Sequence, residues 1–199
     1  VALAELWFGA DEVKRTRNFI MVMISEGIGT GIVIDGEVYR GENGAAGEFG
    51  HMYVGENAPV VCSCGRQDCW EAHASEKAVI RRYLANGDGS RSAMVDMDHL
   101  IRLAENGEER ATAILKETAN YLGIGISNLI IGFSPQAVVV SGRIVKAWDL
   151  IKDDIQAFGR RSIRQELSGT QILPSALGDT PTILGSISLV LARKFASAS

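Results

Sequence analysis

The chain has 199 residues, a formal net charge of −4 and a sequence pI near 5.4. Hydrophobic residues make up 46% and charged residues 22%, which are ordinary globular values and exclude wholesale disorder. The acidic balance, with no basic run, argues against stand-alone nucleic-acid binding. The longest apolar stretch near the end, residues 183–192, is shorter than the roughly 18–20 residues of a membrane span.

The first residues predict a helix whose beginning is missing. Residues 2–16 are rich in helix formers, with Gly9 weakening the middle. Neither a capping residue nor an initiator Met precedes them. We therefore expect residues 1–199 to be a single domain of a longer protein.

A hairpin is predicted next. Residues 19–24 (FIMVMI) are a continuous apolar run, which is typical of a buried strand. Residues 32–34 and 37–40 are also strand-like, and the Asp35-Gly36 pair between them is a strong hairpin signal. Residues 41–74 then form a long irregular segment. Segments of that length in compact domains are usually functional or held by another group.

The rest of the chain predicts helices interrupted by two short strands. Helices are expected at 75–85 with Ser75 as cap, 98–105 with Asp98 as cap, 108–131, 144–158 and 180–195, and strands at 137–140 and 171–173. Strands first, followed by a strand–helix–strand–helix tail, indicate an α/β fold.

The three cysteines and one histidine form the sharpest chemical pattern. Cys62, Cys64 and Cys69 share one polar, Gly-containing stretch, and His51 lies eleven residues upstream. Three thiols and one imidazole complete a tetrahedral zinc shell, which would be structural because no ligand position is left over. The alternative is a set of reduced core cysteines with His51 on the surface. An odd, clustered set of cysteines also favours a reducing cytoplasm over an extracellular disulfide framework.

A second group of residues suits the hydroxyls of a sugar. Glu48 and Glu71 offer carboxylate acceptors, and His51 could offer its other ring nitrogen. The small residues at 44–47 would let the backbone approach a ligand closely. Taken alone, these carboxylates could equally be solvated loop residues.

Both patterns together closely resemble the ROK family, named for repressors, open reading frames and kinases. The segments GENGAAGEFGH and CSCGRQDCWE match its coupled motifs, Gly-Glu-x-Gly-His for sugar and Cys-x-Cys-Gly-x-x-Gly-Cys-x-Glu for zinc. Asp68 stands where the family usually has Gly, and no ligand is lost. The resemblance implies the second lobe of an actin-like ATPase, ribonuclease H-like fold. It also implies zinc at His51, Cys62, Cys64 and Cys69, and sugar contacts from Glu48, His51 and Glu71.

A glycine-rich stretch bears on ATP. Gly27, Gly29, Thr30 and Gly31 follow a buried strand, where such a turn can cradle phosphate, although a tight hairpin explains it equally well. In the family's kinases this stretch resembles Gly-Thr-Gly-x-Gly, whereas Ser25-Glu26 stands here in the Gly-Thr place. A carboxylate repels a triphosphate, so we expect a vestigial phosphate loop and no ATP. Likewise, residues 139–143 stand where the family's kinases tend to carry a Gly-Gly pair beside adenosine, and Ser141 and Arg143 argue against that site here.

Two functions follow from the resemblance. The first is the sugar-sensing and oligomerising part of a transcriptional regulator. It would bind a sugar or sugar phosphate, form a dimer, contact DNA only through an upstream domain and contain no catalytic residue. The second is the C-terminal part of an ATP-dependent sugar kinase of the glucokinase or N-acetylhexosamine kinase type. The kinase's catalytic Asp would lie upstream of Val1, so the upstream sequence would discriminate the two. Neither function involves a membrane.

Overall fold

The computed structural model describes residues 1–85, 95–162 and 169–196, and its centre is a five-stranded mixed sheet of order β3-β2-β1-β4-β5. The strands are β1 (Phe19–Ile24), β2 (Ile28–Ile34), β3 (Glu37–Tyr39), β4 (Ala137–Ser141) and β5 (Gln171–Pro174). The pairs β1–β2 and β2–β3 are antiparallel, and the pairs β1–β4 and β4–β5 are parallel. The α/β class is therefore confirmed.

Helices cover both faces of the sheet. They are α1 (Ala2–Phe8), α2 (Asp11–Lys14), α3 (Trp70–Ala74), α4 (Glu76–Ala85), α5 (Met97–Glu105), α6 (Glu109–Phe133), α7 (Trp148–Ser162) and α8 (Pro181–Ala196). Two 3₁₀ segments lie at Phe49–His51 and Arg143–Ala147. Within the described ranges, no helix combines the length and apolar character needed to cross a bilayer.

Strand β1 is apolar throughout because both of its faces are buried. Ile20, Val22 and Ile24 belong to the main core, which also contains residues of α3 to α7. Phe19 and Met21 point the other way, into a second core that contains residues of α1 and α2. A strand between two layers of helices has no solvent face, so its sequence does not alternate.

Two local predictions are corrected. The helix predicted over residues 2–16 is two helices, because the backbone turns extended at Gly9 and a Cβ there would lie 2.4 Å from the Glu5 carbonyl oxygen. Helix α5 is capped by Asp96 and not by Asp98, since the Asp96 side chain accepts the His99 N–H at 2.7 Å. The prediction that Ser75 caps α4 is confirmed by its bond from the Ala78 N–H at 3.3 Å.

On the edge of β2 that faces away from β1, the second half pairs with a strand and the first half lies beside a loop. Strand β3 pairs only with residues Ile32–Ile34. Along the first half of β2, Thr30 donates its hydroxyl to the Gly47 carbonyl oxygen. Further along the same loop, Gly50 approaches so closely that a Cβ would lie 2.2 Å from the Ile28 oxygen. Residues 47–50 therefore cover an edge that no strand covers.

Trp70 attaches the irregular segment to the core. Its side chain is fully buried, and its indole N–H donates to the Tyr121 carbonyl oxygen of α6 at 2.9 Å. Gly125 makes room for the ring, because a Cβ there would lie 2.1 Å from Trp70 Cε2. Helix α3, which carries the end of the cysteine motif, is therefore seated in a notch of α6.

Filling this notch should destabilise the fold. We expect Gly125→Ala to lower the free energy of unfolding by about 1–3 kcal/mol, because the methyl group overpacks a rigid buried ring. The matched control is Gly132→Ala on the same helix, where a methyl group would meet no neighbouring atom within 4 Å. It should be neutral or stabilise by up to about 1 kcal/mol. Urea denaturation of both variants measures the difference, and equal effects would contradict the notch.

Candidate metal centre and adjoining cleft

The cysteine motif folds into a tight knuckle. The Cys62 N–H donates to the Arg66 carbonyl oxygen at 2.7 Å, and the Gly65 N–H donates to the Cys62 oxygen at 2.9 Å. Gly65 has a φ of +89°, which a glycine adopts without strain. An isolated bridge between Tyr53 and Cys69 then brings the third cysteine back beside the segment that carries His51.

The four predicted ligands converge. His51 Nδ1 lies 3.1 Å from Cys62 Sγ, which lies 3.2 Å from Cys64 Sγ, and Cys64 Sγ lies 3.5 Å from Cys69 Sγ. All four donor atoms are within 4.8 Å of one another. A tetrahedral site with metal–sulfur bonds of about 2.3 Å needs donor separations of about 3.8 Å. The arrangement therefore fits one metal ion after small outward shifts.

The thiols have dissimilar surroundings. Burial raises the pKa of Cys62 to about 12 and also raises the pKa of Cys69. The Arg66 backbone N–H lowers the pKa of Cys64 to about 6. Metal coordination requires thiolates, so binding must displace protons from the two buried sulfurs.

The two nitrogens of His51 face different partners. While Nδ1 faces the sulfurs, Nε2 lies 3.5 Å from Glu48 Oε2. The Glu48 side chain is 72% exposed. The structure thus brings Glu48 and His51 together at the solvent side of the cysteine cluster.

Glu71 lies against the knuckle. One carboxylate oxygen accepts the Ser63 N–H at 3.1 Å and the Ser63 hydroxyl at 2.9 Å, and lies 3.0 Å from Cys62 Sγ. Burial alone would raise the pKa of this carboxyl, but hydrogen bonds from Cys62, Ser63 and the Ile28 N–H outweigh it and lower the pKa. Glu71 therefore ties the knuckle to β2, a role that its spacing in the sequence did not reveal.

The glycine-rich stretch consists of a turn at residues 25–27 followed by the first half of β2. Gly29, Thr30 and Gly31 are residues of β2, and the Ser25 N–H donates to the Gly27 oxygen in a tight turn between β1 and β2. Within the described chain, none of residues 25–31 has a positive φ. The stretch is therefore a β-hairpin, and phosphate binding at its turn stays a prediction. Thr30 instead anchors the loop that carries Glu48.

A cleft of about 400 Å³ opens beyond the carboxyl ends of β1 and β4, and it is lined by ion pairs. Arg143 makes a two-pronged contact with Glu76 at 3.1 and 2.7 Å. Lys146 lies 2.9 Å from both Asp98 and Asp179. With Glu26 also lining it, the cleft holds four carboxylates against two cations.

Comparison with known proteins assigns the chain. Its sequence matches the profile of the ROK family over residues 1–193. The chain belongs to the ROK family. The xylose repressor of Bacillus subtilis is 34% identical over 191 residues, which are 96% of this chain and 48% of that protein. The chain thus spans about half the length of such curated relatives.

Solved ROK structures include both kinases and regulators. A ROK glucokinase from Streptomyces griseus, in complex with glucose and AMPPNP, matches 97% of this chain and 65% of its own with a TM-score of 0.82 and 31% identity. A ROK transcriptional regulator, a homologue of the E. coli MLC protein, matches 94% of this chain and 48% of its own with a TM-score of 0.80 and 26% identity. The actin-like sugar-kinase fold that the motifs implied is thus the fold of its neighbours.

The charged cleft was not predicted from the sequence. Glu26 and Arg143 were singled out as departures from ROK kinases. Their neighbours Glu76, Asp98 and Asp179 were not, because contacts between residues 67 positions apart leave no local pattern. Glu76 is only 4% exposed, but the sequence does not signal this burial, because an acidic residue in the first turn of a helix is ordinary.

Breaking the Arg143 contact should cost more than breaking an exposed pair. Arg143→Ala leaves the buried Glu76 carboxylate without its charged partner, and we expect a loss of about 1–2 kcal/mol after allowing for the half-exposed arginine. The control is Lys152→Ala, whose pair with Asp149 is exposed and should change stability by less than about 0.5 kcal/mol. Denaturation of both variants in low and high salt checks the order, and equal losses would contradict it.

Proposed function

We propose that this chain is the sugar-sensing part of a ROK transcriptional regulator, built around a structural zinc ion. The observation that carries the choice of regulator over kinase is the charged cleft. A nucleoside triphosphate bound there would lie beside the carboxylates of Glu26, Glu76, Asp98 and Asp179. Arg143 and Lys146, the cations of the described lining, are already paired with Glu76, Asp98 and Asp179, and Lys77 pairs with Glu26 at 3.0 Å, so none of these cations is unpaired to receive phosphates.

Zinc is the proposed metal because three sulfurs and one imidazole are the donor set of structural zinc sites. All four positions of the tetrahedron are taken by His51, Cys62, Cys64 and Cys69, so no position remains for a reacting water. The ion would hold a segment whose own core is small, consisting of Cys62, Cys69 and Ala72 with two partly buried neighbours. Bound zinc supplies cross-linking and no catalysis in this proposal.

The proposed sugar site uses Glu48, His51 and Glu71. The exposed Glu48 carboxylate accepts hydroxyl protons, and His51 Nε2 faces the same side while Nδ1 serves the metal. Glu71 keeps lone pairs beyond those used by Ser63 and can accept a further hydroxyl. The glucose complex of the S. griseus relative supports a sugar or sugar phosphate as the ligand class.

The remaining parts of the proposal concern the whole protein. Curated repressor relatives are about twice as long as the matched region, which supports an upstream DNA-binding domain. The acidic chain, with a net charge of −4, would itself serve in sensing and in forming a dimer in the cytoplasm. The alternative is the C-terminal part of an ATP-dependent sugar kinase. It is favoured by the match to the S. griseus glucokinase, which has the higher identity of the two solved structures.

Nucleotide binding separates the two functions. The regulator predicts no heat of binding when magnesium and AMPPNP are titrated into the zinc-loaded protein at millimolar concentration. The kinase predicts saturable, magnesium-dependent binding, and that result would overturn the proposal. Titrating Arg143→Ala in parallel tests whether the ion pairs alone close the cleft.

Zinc binding predicts both a stoichiometry and a proton count. Elemental analysis of protein purified without added metal should find one zinc ion per chain. At neutral pH the buried thiols Cys62 and Cys69 are protonated, so rebinding should release about two protons. Calorimetry in buffers of different ionisation enthalpy measures that release. Absence of zinc, together with an unchanged fold after chelation, would contradict the site.

Removing a sugar-binding carboxylate should weaken binding without removing the metal. We expect Glu48→Ala to lower sugar affinity roughly ten- to hundred-fold, because a charge-assisted hydrogen bond is worth about 1.5–3 kcal/mol. Glucose and xylose, the sugars named for relatives, are the ligands to titrate. The control is Glu56→Ala, an exposed carboxylate of the same segment. If both variants bind as wild type does, the sugar site lies elsewhere.

A further inference from the structure

We propose that Arg66, oriented by Asp68, is a positioning residue of the metal centre: its guanidinium compensates the charge of the thiolate cluster and holds Cys69 and His51 together. This inference rests on the proposed zinc site. It gives a role to Asp68, the one position at which the cysteine motif departs from the usual ROK pattern.

The guanidinium of Arg66 contacts two ligands at once. Its Nη2 group donates to the His51 carbonyl oxygen and lies 3.4 Å from Cys69 Sγ. His51 and Cys69 come from opposite ends of the motif and are 18 positions apart in the numbering. One planar side chain therefore joins the first and the last ligand of the set.

The charge of the loaded site calls for a cation. Three thiolates around one zinc ion leave a net charge of about −1, since the imidazole is neutral. The Glu71 carboxylate, 3.0 Å from Cys62 Sγ, adds a further negative charge. Among the contacts of the described residues, it is Arg66 that brings a positive charge to a ligand sulfur. An N–H group directed at a metal-bound sulfur stabilises the thiolate.

Asp68 orients the Arg66 guanidinium, and its own negative charge beside Cys69 makes a nearby positive charge necessary. Asp68 Oδ1 lies 3.3 Å from Arg66 Nε, which leaves Nη2 free to reach Cys69. The same oxygen is 3.7 Å from Cys69 Sγ, a contact that suits a thiol but repels a thiolate. The cation between them makes an ionised Cys69 compatible with its neighbour. Asp68 does not have a positive φ, so its backbone does not require the usual glycine.

The test is a double-mutant cycle on zinc affinity with Arg66→Met, Asp68→Gly and the double variant. Competition with a chromophoric chelator should show zinc binding about 10–100-fold weaker in Arg66→Met, the range expected when a partner of a metal ligand is lost. Arg66→Met combined with Asp68→Gly should bind zinc more tightly than Arg66→Met alone, because the repelling carboxylate is gone. Arg81→Met, an exposed arginine of α4, is the control and should match wild type.

A second measurement separates positioning from folding. In the zinc-loaded protein, loss of the N–H contact should speed alkylation of Cys69 by iodoacetamide while leaving that of Cys62 unchanged, as followed by mass spectrometry. Arg66→Lys keeps the charge without the planar fork and should fall between wild type and Arg66→Met in zinc affinity. It also serves if the methionine variant fails to fold.

The outcomes are distinct. Failure of the wild-type protein to bind zinc would remove the proposed metal site itself. Zinc binding by wild type, with Arg66→Met unchanged in affinity and in Cys69 alkylation, would overturn only the role of Arg66. Equal affinities of Arg66→Met with and without Asp68→Gly would overturn the coupling between the two residues.

Discussion

The seating of Trp70 on α6 is the contact on which the geometry of the site depends. The segment from residue 41 to residue 69 contributes few side chains to either main core. Trp70 enters the main core directly after the last cysteine and directly before Glu71. The fixed Trp70 indole therefore determines the positions of its two neighbours, Cys69 at the end of the knuckle and Glu71. The candidate metal ligands meet at the other end of the same segment, since His51 lies beside the first cysteine.

The cysteine cluster and the charged cleft differ in where their positive charge comes from. At the cysteine cluster, negative sulfurs converge and a bound cation would stabilise them. In the cleft, the cations belong to the protein, and each is already paired with a carboxylate. A relative that binds nucleotide needs unpaired donors at such a strand edge. A glucokinase and a transcriptional regulator share this fold, and under the proposed function a few side chains around one sheet edge would separate sensing from phosphoryl transfer.

Features that depend on adjacent residues were predicted correctly from the sequence. The buried strand β1, the hairpin at Asp35-Gly36 and the capping of α4 by Ser75 follow from adjacent residues, and the structure agrees. The convergence of the four candidate metal ligands was likewise predictable, because three of them lie within one short stretch. Propensity failed where tertiary pairing decided the outcome. Gly29 to Gly31 resemble a loop, yet their pairing with β1 makes them strand residues.

Long-range polar partners escaped prediction altogether. The contact of Arg143 with Glu76 and the bond from Thr30 to Gly47 join residues that no periodicity connects. Glu71 was assigned to the ligand from its place after Cys69, whereas its hydrogen bonds with Ser63 also make it a strut of the knuckle. Carboxylates are especially hard to assign from sequence, because one group can accept a hydrogen bond from a ligand hydroxyl, a backbone N–H or a thiol with no change in its spacing.

The loop that covers the first half of β2 would give a bound metal a part in solubility. Strand β3 protects only residues 32–34, and residues 47–50 lie along the part of the β2 edge before them, where Glu71 also accepts the Ile28 N–H. That loop ends at His51, the ligand that a metal would tie to the cysteines. A chain deprived of the ion would release the loop and present an unpaired strand edge to its neighbours, which is the geometry from which sheets of different molecules join. Chelation would then be followed by aggregation as well as by loss of the site.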